Sequence, residues 1–266
     1  MKKYFMIAKI SLINEMQYRV NFFLSLLSAV LPMMMMLFLW TAVYANSSET
    51  QHYGYGRQEM LFYTIMSTLL SSLISAGFAS DISRDIKSGS LNKFLIMPVG
   101  YFLYRLFEFI GQKINHFLML GSFIIGSIFV MYINNYIEFD YIAVLLFLCS
   151  VIMALALNFM LYMLIGLSAF WILETSYLFW ALNIFINIIS GGLVPLEVFG
   201  PLVSNIAKYL PFQYTIFFPV NIICSRITLA ESIDGFLISF IWLIILKVIN
   251  KLLWEKGLKA YVAVGG

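Results

Sequence analysis

The sequence DISRDIKSGSLNKFLIMP, residues 81–98, interrupts a chain that is otherwise dominated by apolar runs. Gly89 can end one helix because glycine tolerates positive φ. Ser90 can begin another by accepting a hydrogen bond from the exposed backbone N–H groups. The apolar positions that follow at helical spacing are Leu91, Phe94 and Leu95. Because Pro98 then ends the pattern, it predicts a short amphipathic helix at the water surface, which either docks to a soluble partner or lies in the lipid interface.

The composition is that of a polytopic membrane protein. Of the 266 residues, 62% are hydrophobic and 11% are charged, whereas soluble proteins have roughly 25% charged residues. The mean hydropathy is +0.92. The net charge of +3 is too small to favour nucleic-acid binding. Cys149 and Cys224 lie in apolar surroundings, which indicates neither a disulfide framework nor a metal site. We therefore expect an all-α membrane fold.

The apolar runs predict six transmembrane helices within one transmembrane domain that covers residues 1–266. The predicted spans are 22–44, 60–80, 114–135, 141–173, 176–190 and 235–250. Residues 22–44, for example, are long enough as a helix to cross a bilayer. Residues 1–21 are expected to form an amphipathic helix on the inner membrane face. Short turns at 134–140 and around Glu174 would join neighbouring spans.

Residues 191–226, before the last predicted span, are not expected to form one straight helix. They contain four prolines, Pro195, Pro201, Pro211 and Pro219. A proline inside a helix removes a backbone hydrogen bond and clashes with the preceding turn. Broken backbone is not tolerated in contact with lipid at bilayer depth. The segment is therefore predicted to be re-entrant and packed on protein, or to lie at the interface.

The basic residues predict the orientation. With both termini in the cytoplasm, 13 of the 16 lysines and arginines fall on inner segments. The outer segments then hold Arg57, Lys208 and Arg226. Cytoplasmic loops of membrane proteins carry such an excess of positive charge. This orientation places residues 81–98 in the cytoplasm and residues 191–226 outside.

The sequence carries no motif for an energy source or for catalysis. No glycine is followed by Lys-Ser or Lys-Thr, so the chain has no phosphate-binding loop. It also lacks GxSxG and HExxH motifs and has only two histidines. The predicted spans lack the acidic and lysine relays expected of proton-coupled transporters. If the protein moves a solute uphill, the energy must come from elsewhere.

The polar side chains within the predicted spans are mostly asparagines and serines. The most prominent are Asn158, Asn183 and Asn187. They would either line a translocation path or form interhelical hydrogen bonds, each worth about 0.6 kcal/mol. Nearer the inner surface, Arg105 and Glu108 lie three residues apart and can pair on one helix face. Such a pair is more often a topology anchor than a proton relay.

The order of these elements resembles the permease subunits of ABC type-2 exporters over nearly the whole chain. In that family the first cytoplasmic loop carries an acidic patch, then Gly-Thr-Leu, an apolar pair and a proline. The corresponding residues here are Asp81, Asp85, Gly89, Ser90, Leu91, Phe94, Leu95 and Pro98. Asn92 and Lys93 depart from the pattern, which has an acidic residue there. The GGLVPL sequence at 191–196 is similar to the family's outer segment, and the C-terminus to that of one bacterial subfamily.

The resemblance implies a division of labour between subunits. Two cytoplasmic ABC ATPase subunits would bind ATP and Mg²⁺, while this chain binds no cofactor and is not itself an enzyme. The helix at 90–97 would transmit ATPase closure to the spans. A second permease subunit, identical or homologous, would complete the complex in the lipid of a bacterial inner membrane. Substrates of the family are amphiphilic, such as peptides, drugs or lipids, and the expected direction is export.

Two rival functions remain open at the level of sequence. A stand-alone secondary transporter or channel is suggested by the broken segment at 191–226, because discontinuous helices can bind solutes. An intramembrane enzyme acting on lipid is a weaker rival, since nothing in the placement of charges or histidines favours it.

Overall fold

A computed structural model describes residues 2–17, 19–45, 51–133, 141–172 and 176–261, and most of them are helical. The first helices are α1 (Lys2–Gln17), α2 (Arg19–Ala45), α3 (Arg57–Ile74), α4 (Phe78–Lys87), α5 (Leu91–Ile96) and α6 (Tyr101–Ile133). They are followed by α7 (Tyr141–Leu167), α8 (Ser176–Ile189), α9 (Pro201–Ala207), α10 (Phe217–Ile223) and α11 (Leu229–Ala260). A small antiparallel hairpin of β1 (Gln51–His52) and β2 (Tyr55–Gly56) precedes α3.

Long apolar helices support a polytopic membrane protein. Among the described residues, Arg57–Lys87, Tyr141–Phe170 and Leu229–Ala260 are long and apolar enough to cross a membrane. Val30–Ala45 and Phe179–Ile189 are shorter apolar helices. The number of six spans stays a prediction, and the predicted turns at 134–140 and Glu174 lie outside the described residues.

The predicted second span, 60–80, is divided between two helices. The break falls at residues 75–77, before the charges that mark the end of the apolar run. After the break, α4 begins and continues through those charges, because this helix is amphipathic. Its buried residues include Phe78, Ile82 and Ile86, while Arg84 is exposed. The first part of the charged stretch thus belongs to α4, which packs against α7.

The helix α1 packs along the first half of α6. The approach is close, because a Cβ atom on Gly111 would lie 2.2 Å from the carbonyl oxygen of Ala8. Helical spacing places Met6, Ile10 and Ile13 on the apolar face of the predicted interfacial helix, and all three are exposed. That face is free to meet lipid. The residues near the inner surface that include Arg105 and Glu108 are continuous with most of the predicted span 114–135 in one helix, α6.

The proline-rich segment is broken into short helices, as its sequence predicts. Pro201 occupies the first turn of α9, where the missing N–H costs nothing. The helix α10 is buried against α3 and α7, whereas α9 exposes Leu202 and Ile206. Arg226 ties the segment to the start of α3, because its guanidinium lies 3.1 Å from the Glu59 carboxylate. The segment therefore has one part packed on protein and one part on the surface.

The last helix, α11, extends well beyond the predicted span 235–250. It begins with a capping box, in which Thr228 accepts a hydrogen bond from the Glu231 backbone and the Glu231 carboxylate accepts one from the Thr228 N–H. Its far end packs on the short turn that follows α7, where the Phe170 and Trp254 ring centroids lie 6.1 Å apart. The helix thus connects the proline-rich segment to the end of the bundle that carries α4 and α5.

Candidate functional site

The candidate site is residues 78–100, which contain the predicted coupling region 81–98 and comprise α4, α5 and their connection to α6. We call this segment the coupling loop. The connection between α4 and α5 turns at Gly89, which has a φ of +74°. The Ser88 N–H donates to the Arg84 carbonyl at 2.9 Å and closes the end of α4. This is the helix end that the sequence predicts at Gly89, because glycine adopts the left-handed conformation without a Cβ penalty.

Ser90 differs from its predicted role as a helix cap. Its backbone is helical, with φ of −66° and ψ of −11°, and its side chain accepts no hydrogen bond from α5. A capping residue usually has extended backbone, which lets its side chain reach the first turn of the helix. Here the Ser90 hydroxyl instead donates to Asp85 Oδ1 at 3.1 Å. Ser90 therefore ties α5 to α4.

Asp85 lies at the centre of a buried polar network. Its Oδ2 atom accepts a hydrogen bond from the Tyr101 hydroxyl at 2.9 Å and forms a salt bridge with Arg105. The Asp85 and Arg105 side chains are only 10% and 5% exposed. Arg105 also donates to the Tyr101 hydroxyl at 3.2 Å and forms a salt bridge with Glu108. The Arg105–Glu108 pair predicted from the sequence is therefore part of a larger cluster, which we call the Asp85–Arg105 network: Asp85, Ser90, Tyr101, Arg105 and Glu108.

Aromatic rings enclose the cation of this network. The Arg105 guanidinium lies 5.4 Å from the Tyr101 ring centroid, 5.7 Å from that of Tyr104 and 6.0 Å from that of Phe94. Burial raises the pKa of Tyr101 and of Glu108 above their ordinary values. Burial by itself would lower the pKa of Arg105, but Tyr101 and Glu108 more than offset this effect and raise it. Arg105 is thus a fixed positive charge at the start of α6.

The apolar residues of α5 face two different ways. Leu91 and Phe94 are buried, and the Phe94 ring packs edge-on against Tyr101 and Tyr104 with centroids 5.0 and 4.8 Å apart. Leu95 is 48% exposed and Ile96 is 86% exposed. Leu91 and Phe94 therefore hold α5 on the protein. We call the outward group the exposed tip; it consists of Leu95, Ile96 and Met97.

The two ends of the coupling loop are held by surface contacts. Asp81 pairs with Arg84 one helical turn away, and both side chains are accessible to solvent. At the other end, the Lys3 ammonium of α1 donates to the Pro98 carbonyl. The Tyr4 ring stacks on Phe107 with centroids 5.4 Å apart. The start of α1 therefore fastens the junction between α5 and α6.

The three predicted path residues line a single cavity. Asn158, Asn183 and Asn187 surround a space of about 290 Å³ between α3, α7 and α8. Each also makes a hydrogen bond within the protein. Asn158 donates to the Ile74 carbonyl, Asn183 accepts from the Tyr162 hydroxyl, and Asn187 accepts from Ser71 at 3.5 Å. The structure thus brings the asparagines together and gives each one an internal partner.

A comparison with known protein families identifies the family of this chain. The family model described as ABC-2 family transporter protein matches residues 30–265. The chain belongs to the ABC-2 transporter family. No curated protein matches the sequence. The matched residues include the coupling loop, the asparagine-lined cavity and the proline-rich segment.

Membership of the ABC-2 family confirms the resemblance seen in the sequence. It supports a role as an ABC permease that works with ABC ATPase subunits.

In this ABC-2 family protein, sequence reasoning missed the link from Asp85 to Arg105, because the two residues lie 20 positions apart. The available signal was the charge of Asp85 on the same face of α4 as Ile82 and Ile86. A carboxylate on a buried helix face requires a partner.

We expect Gly89→Ala to destabilise the coupling loop by about 1–2 kcal/mol, since an L-residue carries that cost in the left-handed region. Gly77→Ala is the matched control, because Gly77 has a φ of −88° and a Cβ there would meet nothing within 4 Å. Thermal unfolding of the two purified variants in detergent measures the difference. Equal unfolding temperatures would contradict the prediction.

Asn158→Leu is expected to destabilise the protein by about 1–3 kcal/mol, because it leaves a buried carbonyl without a donor. That carbonyl belongs to Ile74, the last residue of α3, and the last carbonyls of a helix have no partner within it. Thermal unfolding measures the loss. An unchanged unfolding temperature together with reduced transport would assign Asn158 to the translocation path instead.

Proposed function

We propose that the protein is the membrane-spanning permease subunit of an ATP-driven exporter and carries an amphiphilic substrate such as a peptide, drug or lipid. Separate cytoplasmic ABC ATPase subunits would bind ATP and Mg²⁺, and this chain would hydrolyse no ATP itself. The observation that carries the proposal is the two-sided construction of α5. Its inner side is fixed to α4 and α6 by buried contacts, and its exposed tip offers apolar surface for a partner.

The contacts of α5 supply a route for mechanical coupling. A push on the exposed tip would reach α6 through Phe94, which packs on Tyr101 and Tyr104. It would reach α4 through the hydrogen bond from Ser90 to Asp85. Because α4 packs against α7, movement of this unit would shift two helices of the bundle together.

The proposed assembly contains two ATPase subunits and a second permease subunit, identical or homologous. It would lie in a bacterial inner membrane with both termini in the cytoplasm. The positive-inside distribution of basic residues supports this orientation. The asparagine-lined cavity is the proposed start of the translocation path, because polar side chains of three helices meet there within the predicted spans.

The proposal is tested by transport in reconstituted vesicles. The chain is co-expressed with an ABC ATPase encoded in a neighbouring reading frame, and the complex is placed in vesicles with its cytoplasmic side outward. We expect a fluorescent amphiphile to accumulate inside only when ATP is added. Replacement of the phosphate-loop lysine of the ATPase should abolish accumulation. ATP-independent accumulation by the permease alone would overturn the proposal.

A stand-alone secondary transporter or channel is the alternative function. The observation in its favour is that Thr215 and Ile216, just before α10, line the same cavity as the asparagines. Solute sites in secondary transporters form where helices are discontinuous. The permease-only vesicles decide between the two functions, because only this alternative transports without an ATPase.

A further inference from the structure

A groove lies at the end of the bundle that carries α5. It lies between the start of α6, the end of α7 and the second half of α11, and has a volume of about 340 Å³. We call it the α6–α11 groove and define it by Phe102, Leu103, Met163, Lys247, Lys251 and Trp254. Neither the Asp85–Arg105 network nor the asparagine-lined cavity uses its lysines.

The groove combines an apolar wall with two cations. Lys247, Lys251 and Trp254 occur at i, i+4 and i+7 spacing and therefore share one face of α11. Both lysines are exposed. Within the described part of the chain, no carboxylate pairs with Lys247, and the nearest one to Lys251 is Glu255 at 3.8 Å. Such an exposed pair is weak, so both ammonium groups are available to an anion.

The Trp254 ring in the groove is held in place by Tyr101. The Trp254 ring stacks on Tyr101 with centroids 5.1 Å apart and an angle of 11° between the planes. Lys247 falls near the inner end of the predicted span 235–250, and Trp254 lies two turns further on. Tryptophan is enriched at this depth, where one side of the ring meets apolar chains and the other meets headgroups.

One residue that lines the groove has a buried acceptor without a donor among the described residues. Asn250 also lines it, and its Nδ2 atom donates to the carbonyls of Leu246 and Met160 at 2.9 and 3.0 Å. These two acceptors fix the orientation of the amide. The Oδ1 atom is buried and has no hydrogen-bond donor among the described residues. A headgroup that carries hydroxyls would offer such a donor.

We propose that the α6–α11 groove binds an anionic phospholipid with a hydroxyl-bearing headgroup, of the phosphatidylglycerol type, from the inner leaflet. Lys247 and Lys251 contact the phosphate, and Phe102, Leu103 and Met163 form the apolar wall against which the lipid packs. Basic pockets between transmembrane helices near the cytoplasmic surface are suited to anionic headgroups. The site does not depend on the proposed transport activity.

The test uses quenching of Trp254 fluorescence by brominated lipid. The four other tryptophans, Trp40, Trp171, Trp180 and Trp242, are replaced by phenylalanine, and the protein is placed in phosphatidylcholine nanodiscs. Brominated phosphatidylglycerol should quench Trp254 at far lower mole fractions than brominated phosphatidylcholine does. Equal quenching by the two lipids would overturn the proposal.

The double variant Lys247→Gln/Lys251→Gln should weaken the apparent affinity for phosphatidylglycerol by about 30-fold at low ionic strength. The matched control is Lys256→Gln/Lys259→Gln, which removes the same charge from exposed lysines of the same helix. The control variant should retain the preference for phosphatidylglycerol. An equal loss of affinity in both variants would show that the effect comes from general surface charge and would refute the site. Native mass spectrometry of the chain with all five tryptophans provides a second readout. Retained phosphatidylglycerol supports the site, and its absence contradicts it.

Discussion

Replacing Arg105 by methionine is expected to destabilise the protein by about 3–5 kcal/mol, because it leaves the buried Asp85 carboxylate without its cation. Glu108 loses the same partner. Methionine keeps much of the side-chain volume, so the loss reports on charge rather than on a cavity. Thermal unfolding in detergent, followed by tryptophan fluorescence, measures it.

Arg84→Met is the control for this prediction. It removes the same charge from an exposed ion pair with Asp81 on the neighbouring helix, and such pairs contribute about 0–1 kcal/mol. Similar unfolding temperatures for the Arg84 and Arg105 variants would contradict the assigned role of the network. Arg105→Lys should be intermediate, because lysine keeps the charge but lacks the planar fork that reaches Asp85 and Glu108 together.

The double variant Asp85→Asn/Arg105→Met shows whether the two residues act as a unit. If they do, the double variant loses less stability than the sum of the single variants, because the uncompensated charge is gone. Additive losses would indicate that Asp85 is stabilised mainly by Tyr101 and Ser90. Both outcomes are read from the same unfolding measurement.

The network illustrates what local sequence patterns leave undetermined. The spacing of Arg105 and Glu108 predicts their pairing, because both lie on one helix within one turn. The pairing of Arg105 with Asp85 depends on how α4 folds back against α6, which no local pattern specifies. The helix break at residues 75–77 was also missed, since hydropathy registers the charges after position 80 and not the amphipathic spacing of Phe78, Ile82 and Ile86.

The position of the short helix α5 follows from Gly89 and Pro98, and the structure has a helix there. Its orientation could not be predicted in the same way. Leu91, Phe94 and Leu95 share one face by spacing, yet Leu91 and Phe94 are buried and Leu95 is half-exposed. A six-residue helix is too short for its own periodicity to decide which side faces the protein, so the aromatic rings at the start of α6 decide it.

This orientation determines which substitution tests partner binding. Leu91→Asp would bury a charge in the protein, and loss of an ATPase partner would then reflect unfolding. Ile96 is 86% exposed, so Ile96→Asp should change the stability of the isolated chain by no more than about 0.5 kcal/mol. Thermal unfolding checks this before any binding measurement.

Ile96→Asp is nevertheless expected to weaken the binding of the ABC ATPase by about 30-fold or more, because it places a charge in the centre of an apolar contact, where single residues carry 2 kcal/mol or more. The measurement is co-purification of the co-expressed ATPase with the tagged permease, followed by titration of the purified subunits. Leu202→Asp is the matched control, since Leu202 is an exposed leucine on α9 in the proline-rich segment and its replacement should leave ATPase binding unchanged.

Undiminished co-purification with the Ile96 variant would exclude the exposed tip as the contact, even if the protein proved to be an ATP-driven exporter. Loss of binding without loss of stability would place the ATPase contact on α5, since only a surface contact separates these two readouts.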